Sequence, residues 1–436
     1  MSQPRHRPRP QSGSKPQGLE ARQGALALLD GVLMRGAMLD EATLRGDGAI
    51  RAEARGLADT TLRRLGQIDD LLARFVERPP KGSTRQILRL MVAELVFSGT
   101  AAHAAVDLAV RLARSDRKTE RMAGLINAVG RRVAAEGAEI AAVQDAAALA
   151  LPRWLAKAVA KDWGKDAVTA LAEACLTPAP HDLTMTISAD AAAMAQETGG
   201  RLLPTGSVRL AGRPQISTLP GFETGAWWVQ DAAAALPARL LDTRPGERVL
   251  DLCAAPGGKT MQLAATGADV TAVDVSERRL ERLAENLERT GLSAEILCVD
   301  ALHWEPDAPF DAILLDAPCS ATGTIRRHPD LPHRPGGPDL DALTALQDAL
   351  LARAFGWLKP GGRLIYCTCS LLKREGETRV RHVLEIAPDA EAIALSDQDL
   401  PPEFINPQGN LRTLPQLWNE FGGLDGFFAA AIRRML

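Results

Sequence analysis

Apolar residues recur at spacings of three and four from about Leu19 to Glu136. Ala25, Leu28, Leu29, Val32 and Leu33 form one set, and Leu65, Ile68, Leu71, Leu72 and Phe75 another. Ile87, Leu90, Met91 and Leu95 follow, then Val106 and Val110. A helix turns once in about 3.6 residues, so each set makes a stripe that must face a neighbour. The pattern predicts an all-α bundle over residues 19–140, punctuated by Pro79-Pro80-Lys81-Gly82-Ser83. Over residues 151–241 the pattern is mixed and predicts a small α+β domain. A helix carries Trp154, Leu155, Val159 and Trp163, and Leu183–Ile187 and Val208–Leu210 alternate as strands do. Trp227-Trp228-Val229-Gln230-Asp231 closes this region; its tryptophans read as core, with base stacking the alternative.

Residues 242–436 change pattern again. Val249–Leu252, Val270–Val273, Glu295–Val299, Ala312–Leu315 and Leu364–Tyr366 are β-rich apolar runs, most of them separated by helical stretches. That alternation predicts βα units, a largely parallel sheet and a Rossmann-like α/β domain. Ligands of such sheets bind at the carboxyl ends of the strands. Asp251, Asp274, Asp300, Asp316, Cys319 and Cys369 all fall at or just past those ends.

Composition narrows the class. Hydrophobic residues are 46% and charged residues 24%, which suits a globular protein, and no apolar run could span a bilayer. The first residues, 1–18, carry Arg5, Arg7, Arg9 and Lys15 with several prolines and no acid. They lack the apolar core of a signal peptide and are expected to be a disordered basic tail. The six cysteines are scattered, which argues for a reducing cytoplasm and against a disulfide framework or a structural zinc. A net charge of −3 leaves nucleic-acid binding to local patches. One such patch is the stretch from Arg111 to Arg132, with Arg114, Arg117, Lys118, Arg121 and Arg131 between them. It reads equally as a solvated face or an RNA contact.

The loop Asp251-Leu252-Cys253-Ala254-Ala255-Pro256-Gly257-Gly258-Lys259-Thr260 ends like a phosphate-binding P-loop. The match fails where a P-loop needs its first glycine, because that position is Cys253. Asp274, ending the next strand, is placed to accept hydrogen bonds from a ribose diol. A loop of backbone N–H groups with an acid for the ribose suits S-adenosylmethionine. Two thiols beside such a loop suggest methylation of C5 of cytosine, a poor nucleophile. A thiolate adding to C6 makes C5 nucleophilic, and loss of the C5 proton then lets the thiol leave. The alternative for any free cysteine is a small buried hydrophobe, which suits Cys175, Cys298 and Cys367.

Arg22-Gln23-Gly24-Ala25, Leu88-Arg89-Leu90, His103-Ala104-Ala105-Val106 and Asn127-Ala128-Val129-Gly130-Arg131 resemble the NusB-like RNA-binding domain. Asp251 to Thr260, Asp316 to Gly323, Ile325 to Asp330, Leu358 to Ser370 and Asp425 to Ala429 resemble the RsmB/Sun family of RNA (cytosine-5) methyltransferases. The resemblance implies that Cys369 is the nucleophile and that Cys319 assists release of the adduct. It implies a cofactor loop of Cys253, Ala254, Ala255, Pro256, Gly257, Gly258 and Lys259, with Asp274 at the ribose and Asp300 near the adenine. Asp316 would contact cofactor and cytosine, Lys259 would position the base, and Arg279 would close over the site or serve as a surface charge. The implied substrate is small-subunit ribosomal RNA, methylated by a cytoplasmic monomer that needs no metal, DNA or membrane. Transfer RNA, or a non-catalytic role in ribosome assembly, are the alternatives. The chain departs from the family at Met185-Thr186-Ile187 and at Pro335-Gly336-Gly337-Pro338. The basic residues Arg326, Arg327, His328, His333 and Arg334 remain a candidate clamp on the RNA backbone.

Overall fold

The computed structural model describes residues 18–186, 189–396 and 400–436. The basic tail expected over 1–18 falls, except for Gly18, outside the described residues, as does Ile187 of the expected strand. Two compact units are present: Met1–Pro152 with His333–Gly336, and Arg153–Pro332 with Gly337–Leu436.

The first unit is helical. Its helices are α1 (Leu19–Arg35), α2 (Gly48–Arg63), α3 (Leu65–Phe75), α4 (Ser83–Val96), α5 (Ala102–Arg114), α6 (Ala123–Ala142) and α7 (Ala146–Ala150). The predicted stripes meet in one core that includes Leu29, Val32, Ile68, Leu71, Ile87, Met91 and Ile126. Arg22, buried on α1, pairs with Glu94 of α4 and Glu53 of α2, each at 2.5 Å, and so ties three helices together. Gly130 lets α6 approach closely, since a Cβ there would lie 2.8 Å from the Met91 sulfur and 2.9 Å from Val106. The basic residues between Arg111 and Arg132 are all exposed.

The second unit holds helices α8 (Arg153–Trp163), α9 (Lys165–Cys175) and α10 (Ala191–Glu197) and a four-stranded sheet. The strands β1 (Asp182–Met185), β2 (Arg201–Leu202), β3 (Val208–Arg209) and β4 (Trp227–Val229) lie in the order β2-β3-β1-β4, all antiparallel. Trp227 and Trp228 are buried, and their indole N–H groups are spent on the Pro220 carbonyl and Gln230 Oε1, both at 2.8 Å. Both pack into cores, Trp227 against Leu183 and Val208 and Trp228 against Met261 and Leu283.

Next come α11 (Leu236–Leu240), β5 (Arg248–Leu252), α12 (Gly258–Ala265), β6 (Asp269–Asp274), α13 (Glu277–Thr290), β7 (Glu295–Cys298) and β8 (Phe310–Asp316). They are followed by α14 (Leu340–Gly356), β9 (Leu358–Thr368), α15 (Glu377–Ile386), β10 (Ala390–Ile393), β11 (Leu411–Thr413) and β12 (Phe427–Arg434). The large sheet has the order β10-β12-β9-β8-β5-β6-β7, with β11 against β12. The five strands from β9 to β7 are parallel, as expected, whereas β12 and β10 close the other edge antiparallel. The chain thus carries a NusB-like helical domain and, later in sequence, a Rossmann-like methyltransferase sheet.

Candidate active site

The carboxyl end of β5 passes directly into the glycine-rich loop. Cys253 takes a left-handed backbone (φ 59), and Gly257 (φ 100) starts α12. A Cβ on Gly257 would lie 2.8 Å from Leu283, so the close approach of α13 requires glycine. The Ala254 N–H bonds the Val273 carbonyl at 3.1 Å, which folds the loop onto the end of β6. There Asp274 accepts from the Ser276 N–H at 3.0 Å and the Ala255 N–H at 3.2 Å. Arg279 lies 3.3 Å from Asp274 and donates to the Ala255 carbonyl as well. It therefore braces the loop against the acid. Asp300 sits exposed after β7, held by the Leu302 N–H and His303, and these bonds keep its carboxyl below the usual range.

Asp251 is buried beneath the loop and accepts from the Thr260 hydroxyl at 2.6 Å. Burial pushes its carboxyl up to about 7, against that hydrogen bond. Its second oxygen is buried without a partner. An unmatched acceptor under the loop, with Asp274 and Asp300 beyond it, fits a cationic nucleoside cofactor.

On the substrate side, Lys259 rises from the first turn of α12 to Asp316 at the end of β8, with Nζ 2.7 Å from Oδ2. The ammonium also lies 5.0 Å over the Phe427 ring. Burial disfavours its charge, but Asp316 and its neighbours outweigh burial and raise the ammonium above its ordinary value. Cys367, buried in β9, turns its sulfur to the other Asp316 oxygen at 3.6 Å. A cavity of about 530 Å³ is lined here by Lys259, Asp316, Asp251, Gln230, Asp425 and His328.

Cys319 and Cys369 are 50 residues apart, yet their sulfurs lie 3.5 Å apart. Adjacent parallel strands cause this: Asp316 is in register with Cys367, and the chain leaves both strands at the same level. The Ala317 N–H bonds the Cys367 carbonyl and the Gly323 N–H bonds the Cys369 carbonyl, each at 2.9 Å. Both cysteines remain partly exposed. The hydrogen bond with Cys369, then burial, holds the Cys319 thiol well above its ordinary value.

The basic clamp expected around residue 326 takes a different form. Arg326 donates to the Gly422 and Leu424 carbonyls at 2.7 and 3.3 Å. Arg327 binds Asp231 at 2.5 Å, Asp425 at 2.8 Å and the Pro180 carbonyl at 2.7 Å. Both side chains are engaged internally, because the carboxylates and carbonyls around them would otherwise be buried without donors. His328 is exposed on the cavity. Glu375, which drew no attention in the sequence, is fully buried beside the two cysteine loops.

A Rossmann-like sheet with this loop and these acids at the carboxyl ends of its strands defines an S-adenosylmethionine-dependent methyltransferase. The family model for 16S rRNA methyltransferase RsmB/F matches residues 238–433, and that for the NusB family matches residues 19–135. Ribosomal RNA small subunit methyltransferase B of Xanthomonas campestris pv. campestris is 37% identical over 408 residues, 87% of this chain and 91% of that one. The protein of the same name from Pseudomonas putida is 35% identical over 434 residues, 95% of this chain and 97% of that one. The crystal structure of PH0851 shares the fold, with a TM-score of 0.73 at 24% identity over 97% of this chain and 99% of that one. The chain belongs to the RsmB/F family of 16S rRNA methyltransferases.

Proposed function

We propose that this enzyme transfers the methyl group of S-adenosylmethionine to C5 of a cytosine in 16S ribosomal RNA through a covalent Cys369–C6 bond. The observation that carries the reading is the pair of thiols 3.5 Å apart beside the Lys259–Asp316 ion pair. S-adenosylmethionine, when bound, supplies an electrophilic methyl group on a sulfonium. The loop from Cys253 to Lys259 would hold it, with Asp274 at the ribose, Asp300 towards the adenine and Asp251 offering its unmatched oxygen. Arg279 acts on the cofactor through the loop.

Cys369 loses its proton to solvent and its sulfur bonds to C6, as the C5–C6 π pair shifts to C5 in conjugation with the ring. Asp316 and Lys259 hold the polar edge of the cytosine and the charge that develops there. The bound cofactor would supply its methyl group to C5, the sulfonium–methyl bond breaking and the cofactor leaving as the neutral thioether. A base removes the C5 proton, the electrons re-form the C5–C6 double bond, and the C6–sulfur bond breaks. Cys319, in contact with the departing sulfur, assists that last step. A vestigial, non-catalytic domain would not need both thiols so close together.

The test uses labelled cofactor and small-subunit RNA that lacks the modification. Incorporation into cytosine is expected, with transfer RNA and DNA unlabelled. Cys369→Ala should abolish turnover, and Cys319→Ala should accumulate a covalent enzyme–RNA band under denaturing conditions. Full turnover by Cys369→Ala would overturn the nucleophile assignment.

A further inference from the structure

Glu375 closes the short turn Lys373–Glu375 beyond β9, in a run of charges that would ordinarily face water. Instead it is fully buried. One oxygen accepts from the Ser320 N–H at 2.8 Å and from Gln347 Nε2 at 3.1 Å. The other accepts from the Ser320 and Ser370 hydroxyls, both at 2.5 Å. Ser320 directly follows Cys319, and Ser370 directly follows Cys369. A single carboxylate therefore joins the two segments that carry the thiols.

The joint is reinforced on both sides. Gln347 Nε2 also donates to the Pro318 carbonyl at 2.8 Å, and the Tyr366 hydroxyl donates to the Glu375 carbonyl at 2.7 Å. The Ser370 carbonyl takes a 2.6 Å bond from Arg412. Burying a carboxylate costs several kcal/mol unless its oxygens are fully matched. Here four donors match them, and all four are neutral. Among the described residues no ion pair is formed with Glu375, and what it joins are the two segments that carry the thiols.

We infer that Glu375 is a positioning residue that sets the separation of the Cys319 and Cys369 sulfurs. The spacing follows from the bonds to both serines. The same carboxylate adds to the upward push on the Cys319 thiol, behind the contact with Cys369 and burial. This rests on the cysteine roles proposed above.

The test compares Glu375→Gln, which keeps the size and removes the charge, with Glu375→Asp, which keeps the charge one methylene short. Glu375→Gln should lower kcat roughly 10- to 100-fold, with the KM values for cofactor and RNA within about twofold of wild type. In a Cys369→Ala background, iodoacetamide alkylation of Cys319 should shift to lower pH in the Gln variant and stay in place in the Asp variant. Cross-linking of the two thiols by a short bifunctional reagent should slow in the Asp variant, whose reach to the serines is lost. Unchanged kcat with unchanged alkylation and cross-linking would overturn the inference. Should Glu375→Gln not fold, Ser370→Ala removes one donor, and wild-type kcat and cross-linking in that variant would overturn it equally. A wild-type enzyme that neither labels cytosine nor forms an adduct refutes the reaction instead, while the thiol measurements still decide the role of Glu375.

Discussion

Gly323 offers a sharp probe of the thiol pair, because its neighbours are backbone and cannot turn aside. Its N–H bonds the Cys369 carbonyl and its carbonyl takes the Gly426 N–H, both at 2.9 Å. A Cβ added there would lie 2.0 Å from the Gly426 oxygen and 2.8 Å from the Cys369 oxygen. Ordinary contact begins near 3.4 Å, so the segments must part by about 1.4 Å (3.4 − 2.0). The Gly426 clash moves the segment that follows Cys319 by up to that amount, whereas the Cys369 oxygen must give by about 0.6 Å (3.4 − 2.8), so the sulfurs shift relative to each other by roughly 0.6 to 1.4 Å. A misplacement of about 1 Å at reacting groups costs on the order of 100-fold in rate. Overpacking adds about 1–3 kcal/mol of destabilisation, and each weakened hydrogen bond about 1 kcal/mol more. Gly323→Ala should therefore lose about two decades of kcat and several degrees of Tm, measured by methyl transfer and thermal unfolding. Gly356→Ala at the end of α14, where an added Cβ meets nothing within 4 Å, should keep kcat and hold or raise Tm. A Gly323→Ala enzyme with kcat within twofold of wild type and the same Tm would refute the reasoning.

Two further outcomes follow from buried charge. Asp251 titrates near 7 in the folded enzyme against an ordinary 3.8, so the unfolded chain releases its proton first and stability falls as pH rises between those values. The shift of about 3 units amounts to an upper bound of about 4 kcal/mol, so the stability difference between wild type and Asp251→Asn, from urea unfolding at pH 4.5 and pH 7.5, should change by some part of it; a pH-independent difference contradicts this. Asp425, buried beside Asp231, is pushed in the same direction, so the variant keeps some slope of its own. Arg327→Met leaves Asp231 and Asp425 buried without their cation and should cost about 3–5 kcal/mol by chemical denaturation. The same variant should keep the wild-type salt dependence of RNA binding, and a slope reduced by about one would restore Arg327 as a phosphate contact.

The parts of this molecule that were legible in the sequence are those whose signal is local. Period-3.6 stripes announced the bundle, and apolar runs ending in Asp251, Asp274 and Asp316 announced the parallel strands and their functional ends. The 3.5 Å contact of Cys319 with Cys369 is the tertiary consequence of two such ends standing side by side. Partnerships across long separations were not legible. Glu375 sits in Lys373-Arg374-Glu375-Gly376-Glu377, which reads as a solvated charge run until Ser320, 55 residues away, is brought to it. Arg327 looked like a free cation because Asp231 and Asp425 lie 96 and 98 residues off. The strand β12 went unread because the continuous apolar run from Phe427 to Ile432 lacks the alternation that marks a half-buried strand.

The choice of nucleophile can be argued from the environment of each sulfur near the site. Cys253 is pushed up by burial and by the acids Asp316, Asp274 and Asp251, and its left-handed backbone commits it to the cofactor loop. Cys367 is pushed up by burial and by Asp316, and its sulfur is sealed against that carboxylate inside β9. Cys319 keeps its proton because of its contact with Cys369, its burial and the charge of Glu375. A thiolate is needed at a place a base can reach. Cys369 is partly exposed and next to a thiol able to donate to it. The proposed nucleophile and its proposed helper differ in environment although they carry the same functional group.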